Sequence, residues 1–509
     1  MFNTTPLLRI IAKRRIKKLS SFDAKEVQEK TLKSLLNKAS LTKFGRDHAF
    51  ADISTVEQFQ KQVPLRRYED FWKEYWEPMY PRLNDCTWPG LIPFFCVSSG
   101  TSLGATKNIP CTHEMVASNT KAGLDLLCWH LHNRPDSKIG AGSTFFLGGS
   151  TALTEVSKGV FSGDLSGIQS LKTPWWIKSR YFPPPELALL SNWNEKIEKL
   201  SKESLHHDIR LLGGVPSWLL IFVNTITEEL GLPAPRLKDI YPNIEMLVHG
   251  GVNFAPYKEQ FDLLLKESSA EMREVYPASE GFIALADRSY GEGLRLNLDH
   301  DLFFEFVPLA ELESPNPTRH WVKTIEPDIN YAVVLTTCSG LWSYVIGDTV
   351  TFVETGSPRL LITGRISYML SAFGEHLIGM EIEESVSRAA KEHGLNIVDF
   401  SVGAIYPSSV EKLGSHLYVV ECAKYPSKVA FDAFLKSIDA LLQVRNEDYC
   451  AHRADGFGLA LPKGLAVRPG TFRDWMASRG KLGGQNKVPR IINDQDLFKS
   501  LQSFIEKGK

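Results

Sequence analysis

No two cysteines of this chain are closely spaced. Its seven (Cys86, Cys96, Cys111, Cys128, Cys338, Cys422 and Cys450) are scattered singly. That excludes a zinc knuckle or a disulfide frame and argues for a reducing compartment, so the chain is read as cytoplasmic. Neither sign of charge dominates. With 58 Lys and Arg against 59 Asp and Glu, the net charge is −1, which leaves no global field to gather nucleic acid. Long apolar stretches are lacking too, since the longest strongly apolar run, Trp218 to Val223, is far short of a membrane span of about 20 residues. Internal repeats and low-complexity tracts are absent. What remains is a 509-residue chain with 43% hydrophobic and 23% charged residues, the composition of a globular protein with two or three packed units.

Acidic residues are also missing from the first twenty positions, which carry six basic ones: Arg9, Lys13, Arg14, Arg15, Lys17 and Lys18. Leu7, Leu8, Ile10, Ile11, Ile16 and Leu19 interleave with them. A secretory signal needs a longer unbroken apolar core. A membrane-surface helix and a transit peptide compete with a helix packed on its own domain, and the packed helix is preferred.

Farther along, strands and helices alternate. Strands are expected at Ser143–Leu147, Ile209–Leu212, Glu245–His249 and Arg273–Tyr276, with helices at Glu114–Asn133, Asn194–His206 and from Pro216 to near Gly231. This succession implies an α/β fold with a mostly parallel sheet. Short strands after Leu294 suggest an antiparallel or barrel-like β subdomain. From Gly364-Arg365 onward a smaller α+β unit follows. Residues 1–366 are therefore expected to form a large N-terminal domain, and residues 367–509 a C-terminal lid domain.

The most informative segment is Ser98-Ser99-Gly100-Thr101-Ser102-Leu103-Gly104-Ala105-Thr106-Lys107, which follows an apolar run from Leu91 to Val97. Hydroxyls and free backbone N–H groups are what a polyphosphate needs, and glycine lets the backbone come close to it. It is not the P-loop of kinases, because Gly104 and Lys107 are not adjacent and no helix opens after it. Gly100-Thr101-Ser102-Leu103-Gly104 matches a hydrolase nucleophile elbow, but an elbow needs a helix directly after its serine. Thr106 to Pro110 makes a poor one.

Further motifs follow in order: Val248-His249-Gly250-Gly251-Val252, Tyr276-Pro277-Ala278-Ser279-Glu280-Gly281, Tyr344-Val345-Ile346-Gly347-Asp348, Thr363-Gly364-Arg365, and Ser371 to Leu377. The series resembles the adenylate-forming superfamily of acyl-CoA synthetases, luciferases and peptide-synthetase adenylation domains. Within it, the chain is most similar to the Gretchen Hagen-type (auxin-responsive promoter family) acyl-acid amido synthetases. The form of the phosphate loop, Tyr276 to Glu280, and the early segments Thr42 to His48 and Val63 to Asp70 carry that similarity. Val345 and Ser343 depart from it, standing where basic residues are common. That weakens inference of a plant-hormone substrate, and the close match of Arg365 through Leu377 to the superfamily hinge suits a microbial member.

The resemblance implies a ligase that uses ATP and Mg²⁺. A carboxylic acid is adenylated, and an amine, expected to be an amino acid, then takes the acyl group from AMP. Ser98, Ser99, Thr101 and Ser102 would hold phosphates, with Lys107 as a point charge. Glu280 would place the metal and Tyr276 would meet the adenine, with Ser279 also at the nucleotide. Gly250 and Gly251 would lie against the purine. Asp348 would accept the ribose hydroxyls, Arg365 would contact ribose or phosphate at the domain junction, and Lys487 would swing in on a glycine-rich loop. Catalytic roles fall to Lys107, Glu280 and Lys487. The acyl pocket is expected from parts of Cys128–His132, Leu212–Leu219 and His249–Phe254. The alternatives are an acyl-CoA ligase with the same first step and a nucleotide-binding relative without turnover.

Overall fold

The apolar runs in the middle of the chain lie side by side in the computed structural model. Ser143–Leu147, Tyr181–Phe182, Ile209–Gly214, Met246–Gly250 and Glu271–Ala278 form a parallel array. Gly281–Leu285 then turns back antiparallel. Beyond it Leu294–Leu296, Arg359–Arg365, Tyr344–Glu354, Tyr331–Thr337, Leu302–Pro308 and His320–Trp321 complete a twelve-stranded sheet. The strands after Leu294 thus extend the parallel array instead of making a separate barrel. Pairing of Leu294 with Leu360 and Arg295 with Arg359 carries the ladder onward, and no closed barrel forms among the described residues. The structure describes residues 2–99, 106–148, 152–172, 179–190, 193–250, 254, 257–366, 370, 372, 375, 377–406, 413–446, 449–450, 453, 459–481 and 487–507; the side chains of 98, 99, 106, 172, 193, 194, 217, 221 and 365 lie outside the description.

Successive residues of a strand face opposite ways, and the two faces of the parallel half bury different partners. Leu211, Val248 and Val275 join a core with Ala12, Ile16 and Leu19 of helix Thr5–Ser20 and with Leu126 and Trp129 of helix His113–Asn133. Leu212 and Leu247 join the opposite core with Trp218, Leu219 and Phe222 of helix Pro216–Glu229, and Met272 packs against it. The proline at the start of that last helix costs nothing, because its N–H would be unpaired anyway. Thr112 caps helix His113–Asn133 by accepting from the Met115 N–H at 3.1 Å, and its hydroxyl donates to the Cys338 carbonyl at 2.8 Å.

A second sheet carries the segment singled out by sequence. Phe94–Ser99 pairs antiparallel with Thr106–Cys111 on one side and parallel with Val160–Gly163 on the other, and Leu153–Ser157 closes the order. The chain divides into two compact units, the first ending at Ile362 and the second beginning at Thr363. In the second unit Lys463–Val467, Ser415–Cys422, Ile397–Ile405 and Ile491–Ile492 form a sheet. One face of it packs on helices Gly379–Glu392 and Lys428–Arg445, the other on Thr471–Ser478 and Gln495–Lys507. Gly394, at φ +64°, follows the first of these helices in the left-handed conformation expected of a cap. At its centre the Glu375 carboxylate lies 2.8 Å from His416 Nε2, both fully buried.

Candidate functional site

The antiparallel strands Phe94–Ser99 and Thr106–Cys111, a hairpin pair, flank the phosphate-loop segment. Ser99 faces Thr106 and Ser98 faces Lys107 in its register, so residues 100–105 connect two paired strands. Thr101 and Ser102, with Gly100, lie outside the described residues, as do the side chains of Ser98 and Ser99. Lys107 is described, and its Nζ sits 5.2 Å over the ring of Tyr68. The Tyr68 hydroxyl accepts from the Asn108 N–H at 3.0 Å, so one tyrosine braces the second strand of the hairpin. Tyr68 lay in an early segment that sequence reading used only for its similarity. Its neighbour Arg66 forms a parallel bridge to Tyr344, with Arg66 N–H donating to the Ser343 carbonyl at 3.0 Å and Val345 N–H to the Arg66 carbonyl at 2.9 Å. The early segment is thereby tied to the Tyr344–Asp348 motif.

That motif lies within the strand Tyr344–Glu354. Ala332 pairs with Thr349 and Val334 with Val345, so Ile346, Gly347 and Asp348 together face Val333. Two extra residues on one side make a bulge, which bends the strand and re-aims a side chain. Gly347 takes φ +92° to make it, a conformation that glycine adopts without strain. Asp348 is turned into the protein, and its Oδ2 accepts from the Tyr276 hydroxyl at 2.7 Å. In the sheet, the strand of Tyr276 and that of Asp348 are separated by Gly281–Leu285, Leu294–Leu296 and Arg359–Arg365. Four inter-strand steps span about 19 Å on a flat sheet, so a direct bond requires the sheet to curl strongly without closing.

Glu280 occupies the turn after the strand of Tyr276, next to Ser279. Its charge is felt in two directions. Burial and the nearby Glu280 carboxylate push the Tyr344 hydroxyl well up. Contact with Cys111, burial and Glu280 together push up the Cys96 thiol, which lies in the first strand of the hairpin. The fold therefore brings Tyr276, Asp348, Glu280, Tyr344 and the hairpin base into one neighbourhood of the first unit. Arg365 and Lys487 belong to the second unit. Lys487 is exposed, and the side chain of Arg365 is outside the description.

Gly250 has a structural reason independent of any ligand. A Cβ there would lie 2.2 Å from the Val275 carbonyl oxygen of the neighbouring strand. Gly251 lies outside the described residues. The expectation that Cys128–His132 lines an acyl pocket is corrected by packing. Cys128, Trp129 and Leu131 are buried beneath the N-terminal helix, on the face opposite Leu212. His130 lies 2.5 Å from Glu271 Oε1. Although burial works the other way, His130 and Arg273 hold the Glu271 carboxyl down to about 2.

Ser343, one of the two departures noted in the sequence, is also accounted for. Its hydroxyl accepts from Arg319 at 2.6 Å and donates to the buried Glu305 at 3.1 Å.

Four polar residues line a small cavity elsewhere in the first unit. It holds about 280 Å³ of empty space, counting its opening to solvent, and its lining includes His249, Glu274, Ser289 and Tyr290. His249 stacks on Phe254 at 3.7 Å, and neither ring nitrogen has a hydrogen-bond partner among the described residues. Burial drives its pKa down to about 3 and pushes that of Glu274 up to about 7. Glu274 stands two residues before Tyr276, on the same face of the strand.

The raised Glu274 value has a testable consequence. Its ordinary value is 4.5, so folding takes up a proton between about 4.5 and 7, and stability must fall as pH rises through that window. The Glu274→Gln variant is expected to gain on the parent by about 3 kcal/mol between pH 4.5 and 7.5. Urea denaturation at both pH values checks this. Parallel pH profiles for the two proteins would contradict it. His249 acts with the opposite sign between pH 3 and 6.5, so the comparison is made variant against parent.

Among the described residues no helix is long and apolar enough to cross a membrane. Comparison with known proteins agrees with the fold. The solved structure of GH3.15 acyl acid amido synthetase superposes with a TM-score of 0.79 at 18% identity, over 99% of this chain and 97% of that one. Indole-3-acetic acid-amido synthetase GH3.4 of Arabidopsis thaliana is 22% identical over 94% of this chain and 91% of its own length. The match to indole-3-acetic acid-amido synthetase GH3.8 of Oryza sativa subsp. indica, at 25% identity, covers 40% of this chain and about a third (35%) of that relative. Models of the GH3 family N-terminal, central and C-terminal domains match residues 12–269, 296–365 and 380–496 in that order, and the chain belongs to the GH3 family.

Proposed function

We propose that this protein is an ATP-dependent acyl-acid amido synthetase. A substrate carboxylate oxygen attacks the α-phosphorus of ATP and pyrophosphate leaves. An amine, taken to be that of an amino acid, then attacks the carbonyl of the acyl-adenylate, and AMP leaves with the C–O bond. No enzyme nucleophile is needed, so catalysis rests on positioning and on stabilising charge. The observation that carries the reading is the bond from Tyr276 to Asp348 across the curled sheet, beside the base of the hydroxyl-rich hairpin, in a chain matched by all three family domains.

In this reading Ser98, Ser99, Thr101, Ser102 and Lys107 grip the phosphates. Tyr276 and Ser279 meet the base with Gly250 and Gly251, and Asp348 accepts the ribose hydroxyls. Residues 1–366 act as the adenylation domain, with Arg365 at the junction, and residues 367–509 as a lid that contributes Lys487. A magnesium site fits Glu280. One carboxylate combined with phosphate oxygens is a donor set that magnesium accepts. The tight acid–histidine group found among the described residues, Asp125, Asp299 and His300, is filled by the Arg15 guanidinium instead. When bound, magnesium supplies neutralisation of charge on the phosphate oxygens. Six of the seven cysteines are buried as free thiols, which supports work in the reducing cytoplasm.

The test is an ATP–pyrophosphate exchange screen with a library of carboxylic acids, followed by mass analysis of products formed with amino acids or coenzyme A. Acid-dependent exchange and an amide product are expected. A thioester would move the protein to the acyl-CoA ligases, and no exchange with any acid would leave a binding protein.

A further inference from the structure

The N-terminal helix Thr5–Ser20 has two working faces, and only one of them is used by the fold. Thr5, Ala12, Ile16 and Leu19 are buried. At 100° per residue, Leu7, Ile10, Ile11, Arg14, Lys17 and Lys18 fall together on the opposite side. Leu7 is 61% exposed, Ile10 56% and Ile11 36%, and Phe2 just before the helix is 84% exposed. Lys13, Arg14 and Lys17 are exposed, with no ion pair among the described residues, while Lys18 lies 3.5 Å from Asp299. No acidic residue occurs before Asp23.

The face is rigidly presented. Arg15 bonds both Asp125 and Asp299 from the inner side at 2.6–2.7 Å. The Thr4 N–H donates to the Gly140 carbonyl at 2.9 Å, and the Gly140 N–H donates to the Thr5 hydroxyl at 3.0 Å. Arg9 reaches the Ser137 carbonyl at 2.6 Å, and Arg180 donates to the carbonyl of Phe2. The exposed apolar side chains are therefore held outward by an anchored helix and do not belong to a frayed end.

We propose that this outer face docks the protein on an anionic membrane surface, with Phe2, Leu7, Ile10 and Ile11 entering the headgroup boundary and Lys13, Arg14 and Lys17 meeting lipid phosphates and carboxylates. Apolar residues mixed with unpaired cations are what an interfacial helix requires. Charge complementarity selects the occupant, because the chain as a whole is nearly neutral while this face carries cations alone. The inference is independent of the catalytic reading.

The experiment is flotation of the full-length protein with vesicles of phosphatidylcholine containing 30% phosphatidylserine, against pure phosphatidylcholine. Flotation with the anionic vesicles alone, suppressed by 0.5 M salt, is expected. Two triple variants, Leu7→Asn/Ile10→Asn/Ile11→Asn and Lys13→Glu/Arg14→Glu/Lys17→Glu, are expected to lose at least tenfold in vesicle partitioning at an unchanged melting temperature. Absence of flotation overturns the proposal, as does flotation that neither variant reduces. Vesicle-independent self-association that the apolar variant abolishes also overturns it, in favour of a second copy as the occupant.

Discussion

Replacing Asp348 by alanine is expected to lower ATP–pyrophosphate exchange by about 100-fold or more, through weaker nucleotide binding and poorer alignment. In the proposed reading its carboxylate accepts two ribose hydroxyls, and a hydrogen bond to a charged group contributes about 1.5–3 kcal/mol. The same change leaves the buried Tyr276 hydroxyl without the 2.7 Å acceptor it has now. Two companions separate these effects. Tyr276→Phe keeps the ring and removes the bond to Asp348, so a loss of about fivefold is expected. Asp348→Asn keeps an acceptor for Tyr276 and removes the charge, and it should resemble the alanine variant if ribose is the partner. Exchange rates and KM for ATP decide the matter: an Asp348→Ala enzyme with unchanged KM and rate would remove the residue from the nucleotide site.

The second large effect concerns stability. Arg15 sets its guanidinium against two carboxylates, with four hydrogen bonds of 2.6–2.7 Å to Asp125 and Asp299. His300 adds contacts of 3.1 and 3.3 Å to the same pair. Burial alone would raise the two carboxyls, yet Arg15 and His300 hold both below their usual range. Removing one partner of such a group leaves uncompensated buried charge, so Arg15→Ala is expected to cost about 3–5 kcal/mol in unfolding free energy. The sign with pH is also set. Carboxyls depressed by folding stabilise above their unfolded values, and that contribution is lost as pH falls. The parent therefore weakens steeply into acid, and the variant should do so less. Urea titrations at pH 7 and at about pH 2.5, below the ordinary Asp value of 3.8, measure both. A variant as stable as the parent at pH 7 would mean that the cluster contributes nothing net.

The parallel half of the large sheet was readable because buried parallel strands are short, largely apolar runs, as at Ile209–Gly214 and Met246–Gly250, bounded by turn residues. The continuation of that sheet after Leu294 was not readable. It depends on pairing Leu294 with Leu360, and no local pattern encodes a partner so distant in the chain. The hairpin Leu153–Ser157 and Val160–Gly163 escaped because its exposed residues, such as Thr154 and Glu155, blur the alternation. The last helix, Gln495–Lys507, was legible in principle, since Phe498, Leu501 and Ile505 repeat at helical spacing. The motifs were located as residues, but what joins them was hidden. Neither the bulge that aims Asp348 nor the orphaned His249 can be inferred without knowing which strands meet.

The bulge at Ile346–Asp348 has a wider meaning. A curled sheet brings together groups that belong to strands four places apart, so the spacing between them is set by curvature. Curvature in turn is fixed by ladder offset, through Val333 and the left-handed twist at Gly347. The spacing of these groups is thus stored in main-chain arithmetic. Evolution could retune it by adding or deleting one residue, leaving every contacting side chain as it is.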